Sequence, residues 1–247
     1  MRQDKTMQKT DTVLFDLDGS LLPMDQEKFV KYYMGALGKT FAPEGYDPGL
    51  LTSSVWKGTE AMMRNDGTMS NRDRFWEVFS DSMGQDMKSR EEFFVQFYRE
   101  QFIEAKAATG FQPLAPKAVR ELKQKGYTVI LATNPLFPSV ATLRRMEWAG
   151  LKPEDFSLVT TYEEESFCKP SLQYYTSILE RFHKEPEQCM MVGNDVDEDM
   201  CVTELGMAGY LLTDCMLNRH GRSLEGFLSG NFEQFYAYVQ EMPDRSV

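Results

Sequence analysis

Apolar positions along this chain follow three successive patterns. Near the start, Val13, Leu14 and Phe15 form a short unbroken apolar run, which reads as a strand buried on both faces. From Pro23 to about Gln112, apolar residues recur at helical spacing and strand signals nearly vanish. Residues 24–37, 50–64, 71–83 and 89–105 read as amphipathic helices separated by Gly, Pro, Asn and Asp turns. From Ala115 helix and strand alternate. Helices are expected at 115–125, 139–148, 171–182, 198–205 and 231–241, and strands at 127–132, 156–160, 189–193 and 210–213. Such alternation implies parallel βαβ units.

In the helical stretch, Ser89 and Glu92 have the spacing of a capping box, and Phe94, Phe97, Tyr98 and Phe102 then share one face. An aromatic stripe at helical spacing is packing more often than a ligand box, and it argues for an independent helical core. An insert of this length, placed after the first strand and before the sheet resumes, would sit over the sheet edge as a cap. The expected architecture is α/β: a parallel sheet core from residues 1–22 and 113–247, and an all-helical cap domain from residues 23–112.

The strand ends carry the candidate chemistry. VLFDLDGSLL (13–22) delivers Asp16 and Asp18 to the C-terminal end of the first strand, where Gly19 turns the chain and Ser20 adds a hydroxyl. Asp-rich turns end many strands for conformational reasons alone. Two acids side by side, however, repel and lose hydration unless a cation or a shared proton intervenes. Strand 127–132 ends in Thr133-Asn134-Pro135, which serves equally as a turn. Lys169 precedes Pro170 ahead of a periodic helix; such a pair starts helices, and a lysine there can also clamp an oxyanion. MMVGNDVDEDM sets Asn194, Asp195, Asp197, Glu198 and Asp199 after a buried strand. The helix dipole accounts for Asp197 and Glu198. The whole cluster, facing Asp16 and Asp18, asks for a hard divalent cation such as Mg²⁺.

Composition narrows the field. At 247 residues, 42% hydrophobic and 26% charged, the chain can bury one substantial core and a smaller domain. No apolar run approaches the roughly 18 residues of a membrane span, and MRQDKTMQKT lacks an apolar signal region; a cytoplasmic location is expected. The four cysteines lack zinc-site spacing and are expected as free thiols. A net charge of −11 should repel nucleic acid and anionic membrane, so any bound phosphate needs a local cationic pocket.

These strings resemble, in order, the four motifs of the haloacid dehalogenase-like superfamily: D-x-D-G-[TS] after an apolar strand, a strand ending in Thr or Ser (LATN), a Lys often followed by Pro (SFCKPSLQYY), and G-D with a further Asp four or five residues on. The resemblance implies a doubly wound, Rossmann-like core with a helical cap of the family's first class, and a Mg²⁺-dependent phosphatase acting through an aspartyl-phosphate. Asp16 would be the nucleophile and Asp18 the general acid and base. Ser20, Thr133, Asn134 and Lys169 would hold phosphoryl oxygens. The metal would lie among Asp16, the main-chain oxygen of Asp18 and the fourth-motif loop, where Asn194, Asp195 and Asp199 stand. An acid at Asp18 separates this pattern from the dehalogenases and phosphonatases, which release no alkoxide.

One departure stands out, because Gly193 is followed by Asn194 where the family pattern has Asp. Asp199 fits either register, and the stronger binding of Mg²⁺ by a carboxylate favours Asp195 over Asn194 as the metal-facing residue. A phosphosugar mutase shares all four motifs, and a non-catalytic sugar-phosphate sensor is the alternative outside enzymes. The substrate is expected to be a small phosphorylated metabolite. Trp56, Lys57, Arg64 and Arg74 are candidate cap residues for its recognition. Nothing in the sequence assigns the oligomeric state.

Overall fold

A computed structural model describes residues 7–246. Its framework is a six-stranded, all-parallel sheet made of β1 (Thr12–Phe15), β2 (Thr128–Leu131), β3 (Leu158–Val159), β4 (Cys189–Gly193), β5 (Ala208–Leu212) and β6 (Leu228–Gly230), in the order β3-β2-β1-β4-β5-β6. The central strands are buried on both faces, as their unbroken apolar runs require. Val13 and Phe15 pack with α5 (Ala115–Gln124) and α8 (Phe232–Glu241) on one side. Leu14 packs with Tyr174, Tyr175 and Ile178 of α7 (Leu172–Phe182) on the other. The fold is the expected doubly wound α/β core.

Register decides where the chemistry collects. Phe15 lies beside Leu131 of β2 and Val192 of β4. Just beyond, Asp16 N–H donates to Val192 O (2.9 Å) and Ala132 N–H to Phe15 O (2.8 Å). The residues that follow these strands, Asp16, Thr133 and Asn194, therefore emerge level at one edge. The strand order reverses between β1 and β4, and in such sheets the crevice at that point takes the ligand.

Between residues 23 and 112 the insert holds four α-helices: α1 (Gln26–Phe41), α2 (Pro48–Met63), α3 (Asn71–Met83) and α4 (Glu91–Glu100). Asp25, Asp47 and Ser70 cap the first three by accepting the N–H of Lys28, Leu50 and Asp73. The two chain crossings into and out of this insert pair with each other, through Asp25 N–H to Ala108 O (3.0 Å) and Gly110 N–H to Pro23 O (2.8 Å). A second tether joins α3 to the core, where Asn71 and Arg72 N–H donate to Glu165 O and Tyr162 O (both 2.8 Å).

Several local expectations are corrected. Ser89 does not cap α4: its hydroxyl donates to Asp86 O (2.9 Å), closing a turn, and a 3₁₀ turn at Lys88–Arg90 leads into the helix with Arg90 at the cap. The helix also stops earlier, tightening to 3₁₀ over Gln101–Ala108. The segment after β4 is a 3₁₀ helix, Met200–Leu205. Strand β6 has no apolar alternation and goes unseen in the sequence; it is held as a short edge, where Thr213 N–H donates to Gly230 O (3.0 Å). All four cysteines are free thiols.

The aromatic stripe is buried as expected, but its core is not independent. Phe102 stacks on Trp148 (centroids 5.3 Å), and Phe137 meets Phe29, Tyr33, Tyr98 and Phe102. Phe137 and Trp148 belong to the loop after β2 and to α6 (Ser139–Trp148). One continuous apolar cluster runs from the helical insert into the sheet layer.

Candidate active site

The first loop leaves β1 at Asp16 and turns at Gly19, whose φ of +86° suits glycine. A side chain at Gly19 would run into the amide of Asn194, so glycine also lets the β4 loop approach. Ser20 Oγ lies 2.9 Å from Asn194 Oδ1 and 3.2 Å from Asp16 Oδ2. One hydroxyl thus joins the first and fourth motif loops and brings the two side-chain oxygens to a common point. The Asn194 amide is oriented from its other end, where Nδ2 donates to Cys215 O (2.7 Å).

Lys169, almost fully buried, places Nζ 3.0 Å from Asp16 Oδ1 and 2.6 Å from Asp199 Oδ1. Burial opposes its charge, but the carboxylates of Asp16 and Asp199 overcome that and hold the ammonium well above the ordinary lysine range. Burial raises Asp16, with Lys169 opposing, and it pushes Asp199 up to about 6. Asp199 Oδ2 accepts the N–H of Asp195 (3.0 Å), which fixes the loop, and a side chain at Gly193 would collide with that carboxylate.

Asp18 pairs with Arg145 Nη1. This arginine is fully buried on α6, its guanidinium 4.4 Å over the Phe137 ring and its Nη2 3.3 Å from Thr142 Oγ1. The other Asp18 oxygen, Oδ1, is buried with no hydrogen-bond partner. Burial raises the Asp18 pKa despite Arg145 and Lys169, which favours the protonated form a general acid needs.

Asp195 is engaged at both oxygens: Oδ1 accepts N–H from Asp197 (2.8 Å) and Glu198 (3.0 Å), and Oδ2 accepts from Arg219 Nη1 at 2.5 Å. Asn134 bridges loops, accepting Lys169 N–H (3.2 Å) and donating to Glu198 Oε2 (3.0 Å). Burial pushes Glu198 up to about 7. The main-chain oxygen of Thr133 accepts from Thr160 Oγ1 (2.7 Å) and Tyr174 (2.9 Å), fixing a residue whose side chain lines the cavity.

The structure thus brings Asp16, Asp18, Ser20, Thr133, Asn134, Lys169, Asn194, Asp195 and Asp199 to one sheet edge. Sequence reasoning missed Arg145, Arg219 and the place of Glu198 in the site. Arg145 did carry a signal, standing four residues after Ala141 and three before Trp148, so that a charge falls on the buried face of its helix.

Between this edge and the helical insert lies a cavity of about 320 Å³, within the range of pockets that surround an organic ligand. Of the cap candidates only Trp56 lines it. Lys57 bonds Ser82 Oγ (3.2 Å), Arg64 pairs with Glu60 (2.6 Å) and Arg74 with Glu77 (2.9 Å), all away from the cavity.

Sheet, insert and acid–lysine edge define a doubly wound α/β protein with its candidate chemistry at the switch point. The sequence profile of the haloacid dehalogenase-like hydrolases matches residues 10–200, and the chain belongs to that family. It is similar to a phosphoglycolate phosphatase of Aquifex aeolicus, 27% identical over 190 residues that span 76% of this chain and 77% of that one. It is also similar to a glyceraldehyde 3-phosphate phosphatase of Methanothermobacter thermautotrophicus, 29% identical over 101 residues, 40% of this chain and 43% of that one. A solved HAD phosphatase from Thermococcus onnurineus superposes with a TM-score of 0.60 at 16% identity, over 95% of this chain and all (100%) of that one, a likeness of fold. Among the described residues no helix is long and apolar enough to cross a membrane.

Proposed function

We propose that this protein is a Mg²⁺-dependent phosphatase that hydrolyses a small phosphate monoester through an aspartyl-phosphate on Asp16. The observation that carries the reading is the convergence of Asp16, Asp18 and Lys169 at the switch point, with Asp16 held between Lys169 Nζ (3.0 Å) and Ser20 Oγ (3.2 Å). On this reading residues 23–112 are the cap over a core of residues 1–22 and 113–247. The substrate is a phosphorylated metabolite met in the cytoplasm without nucleic acid or membrane.

The chemistry follows from these side chains. Asp16 attacks phosphorus in line, the bond to the leaving oxygen breaks, and Asp18 gives that oxygen its proton. Asp18 then takes a proton from water as the water attacks phosphorus and frees Asp16. Lys169 offsets the dianion while Ser20 and Thr133 hold its equatorial oxygens, so catalysis rests on positioning and charge.

Among the described residues no cluster of three or more His, Cys, Asp and Glu is arranged to hold a metal. Mg²⁺ needs no such cage, binding through one or two carboxylates, neutral oxygens, waters and substrate phosphate. That is the donor set at hand: Asp16, the main-chain oxygen of Asp18 and Asn194, near the unpartnered Asp18 Oδ1. When bound, the ion would offset the repulsion between nucleophile and phosphate. A carboxylate's greater affinity speaks for Asp195, but geometry speaks for Asn194. Asn194 Oδ1 shares Ser20 with Asp16, whereas both Asp195 oxygens are spent on Asp197, Glu198 and Arg219. Asp199 braces Lys169.

The test is release of inorganic phosphate from a panel of monoesters, with Mg²⁺ and with EDTA. Stoichiometric release that EDTA abolishes is expected; turnover indifferent to EDTA would sink the metal dependence. Isomerisation of a sugar phosphate without release would make the protein a mutase. Asn194→Ala should raise the Mg²⁺ concentration for half-maximal rate by roughly tenfold or more, and Asp195→Asn by less. The reverse order would place Asp195 on the metal.

A further inference from the structure

The cap side of the cavity has a chemistry that neither the catalytic groups nor the relatives' named substrates call for. Its wall is built from apolar side chains of all four cap helices, among them Met34, Val55, Phe75, Phe94 and Val95, with Leu136 from the core. The polar tips of four aromatic residues in that wall, Tyr33, Trp76, Tyr98 and Tyr162, are spent within the protein. Tyr33 and Tyr98 bond each other through their hydroxyls (2.8 Å). Trp76 Nε1 and the Tyr162 hydroxyl both donate to Glu91 Oε1 (3.2 Å each), a carboxylate also held by Arg72. What these residues leave toward the cavity is ring and alkyl surface.

Charge is equally telling. Among the described lining residues the only cation is Arg219, on a core loop and paired with Asp195 (2.5 Å) and with Gln26 Oε1 (3.1 Å). The one acid that the cap contributes, Glu91, is already paired with Arg72 and offers a second anion no attraction. Of the other cap residues with polar groups on this wall, Thr59 donates its hydroxyl to Val55 O (2.9 Å), Gln26 accepts from Arg219 at its Oε1, and Trp56 is half exposed. A leaving group bearing a carboxylate or second phosphate would lose its hydration here with no cation to replace it. A sugar would find only the Gln26 amide and the Trp56 Nε1 on this wall and would leave most of its hydroxyls without partners. An alkyl or aryl group meets neither cost and gains from burial.

We propose that the alcohol released by this enzyme is apolar, so that the substrate class is the phosphate monoesters of alkyl or aromatic alcohols, with phosphoglycolate and phosphosugars excluded. The inference rests on the hydrolase reading above and specifies what its cavity accepts.

Phosphate release by the full-length Mg²⁺-loaded protein tests it. Ethyl, butyl and hexyl phosphate have leaving alcohols of similar acidity, so their kcat/KM values report burial rather than intrinsic reactivity. The expected result is a rise of about fourfold per methylene until the cavity is filled, with hexyl phosphate exceeding phosphoglycolate and glucose 6-phosphate by roughly 100-fold or more. A flat alkyl series, or phosphoglycolate or glucose 6-phosphate turned over as well as hexyl phosphate, overturns the substrate class while leaving the phosphatase in place. If no ester releases phosphate, including 4-nitrophenyl phosphate, the hydrolase reading fails and the substrate class falls with it.

Discussion

Asp16→Asn is expected to abolish phosphate release, with a fall of at least about 10⁴-fold in kcat, while the protein stays folded. The amide cannot attack phosphorus, and no neighbouring group replaces it: Asp18 is turned to Arg145, and Asp199 is held by Lys169 and the Asp195 N–H. The fold should survive because asparagine keeps an oxygen for Lys169 Nζ and Lys169 keeps Asp199 at 2.6 Å. Phosphate assays and thermal melts on the same preparation check both halves. Turnover at the wild-type rate would remove Asp16 as nucleophile, and loss of the melting transition would make activity in this variant uninterpretable, in which case Asp16→Glu supplies the nucleophile test.

The strands and the residues that follow them were legible because their signals are local. Val13 to Phe15 is apolar without a break, and the acids come next in the chain, so strand, edge and candidate chemistry read off one string. Register then does the rest, since Phe15 beside Leu131 and Val192 forces three loops to one height. What stayed hidden is non-local. Asp18 and Arg145 are 127 residues apart, and nothing near either predicts the pair. Arg219 reaches Asp195 from a loop without periodic pattern.

The helical insert shows the same division. Each helix was evident from its spacing, and α3 falls at Asn71–Met83 as expected. The separateness of its core was not, because a stripe of Phe and Tyr says that a face is buried without saying against what. Here part of the partner is Phe137 and Trp148 of the sheet layer. The cavity wall was illegible for a related reason. Tyr33, Trp76, Tyr98 and Tyr162 count as polar-tipped in a sequence, and only tertiary pairing turns their rings into apolar lining.

Lys169→Met tests whether the buried ammonium is as central to the fold as to the chemistry. Its side chain is 1% exposed and contacts Asp16 and Asp199, whose own side chains are 11% and 2% exposed. Removing it leaves two carboxylates facing each other in a buried site, and breaking a buried pair in this way costs about 3–5 kcal/mol. The cost should depend on pH. Burial already raises both acids, Asp199 to about 6, and losing the cation raises them further. A carboxylate whose folded pKa lies above its unfolded value favours folding below the unfolded value and loses that favour as pH rises through the folded one. The variant therefore adapts by protonation in acid and cannot at higher pH. Thermal melts should show a deficit against wild type that is modest near pH 5 and several degrees larger near pH 8, with phosphate release lowered by roughly 10²–10³-fold at either pH. An equal deficit at both would mean that Lys169 holds the site by packing alone.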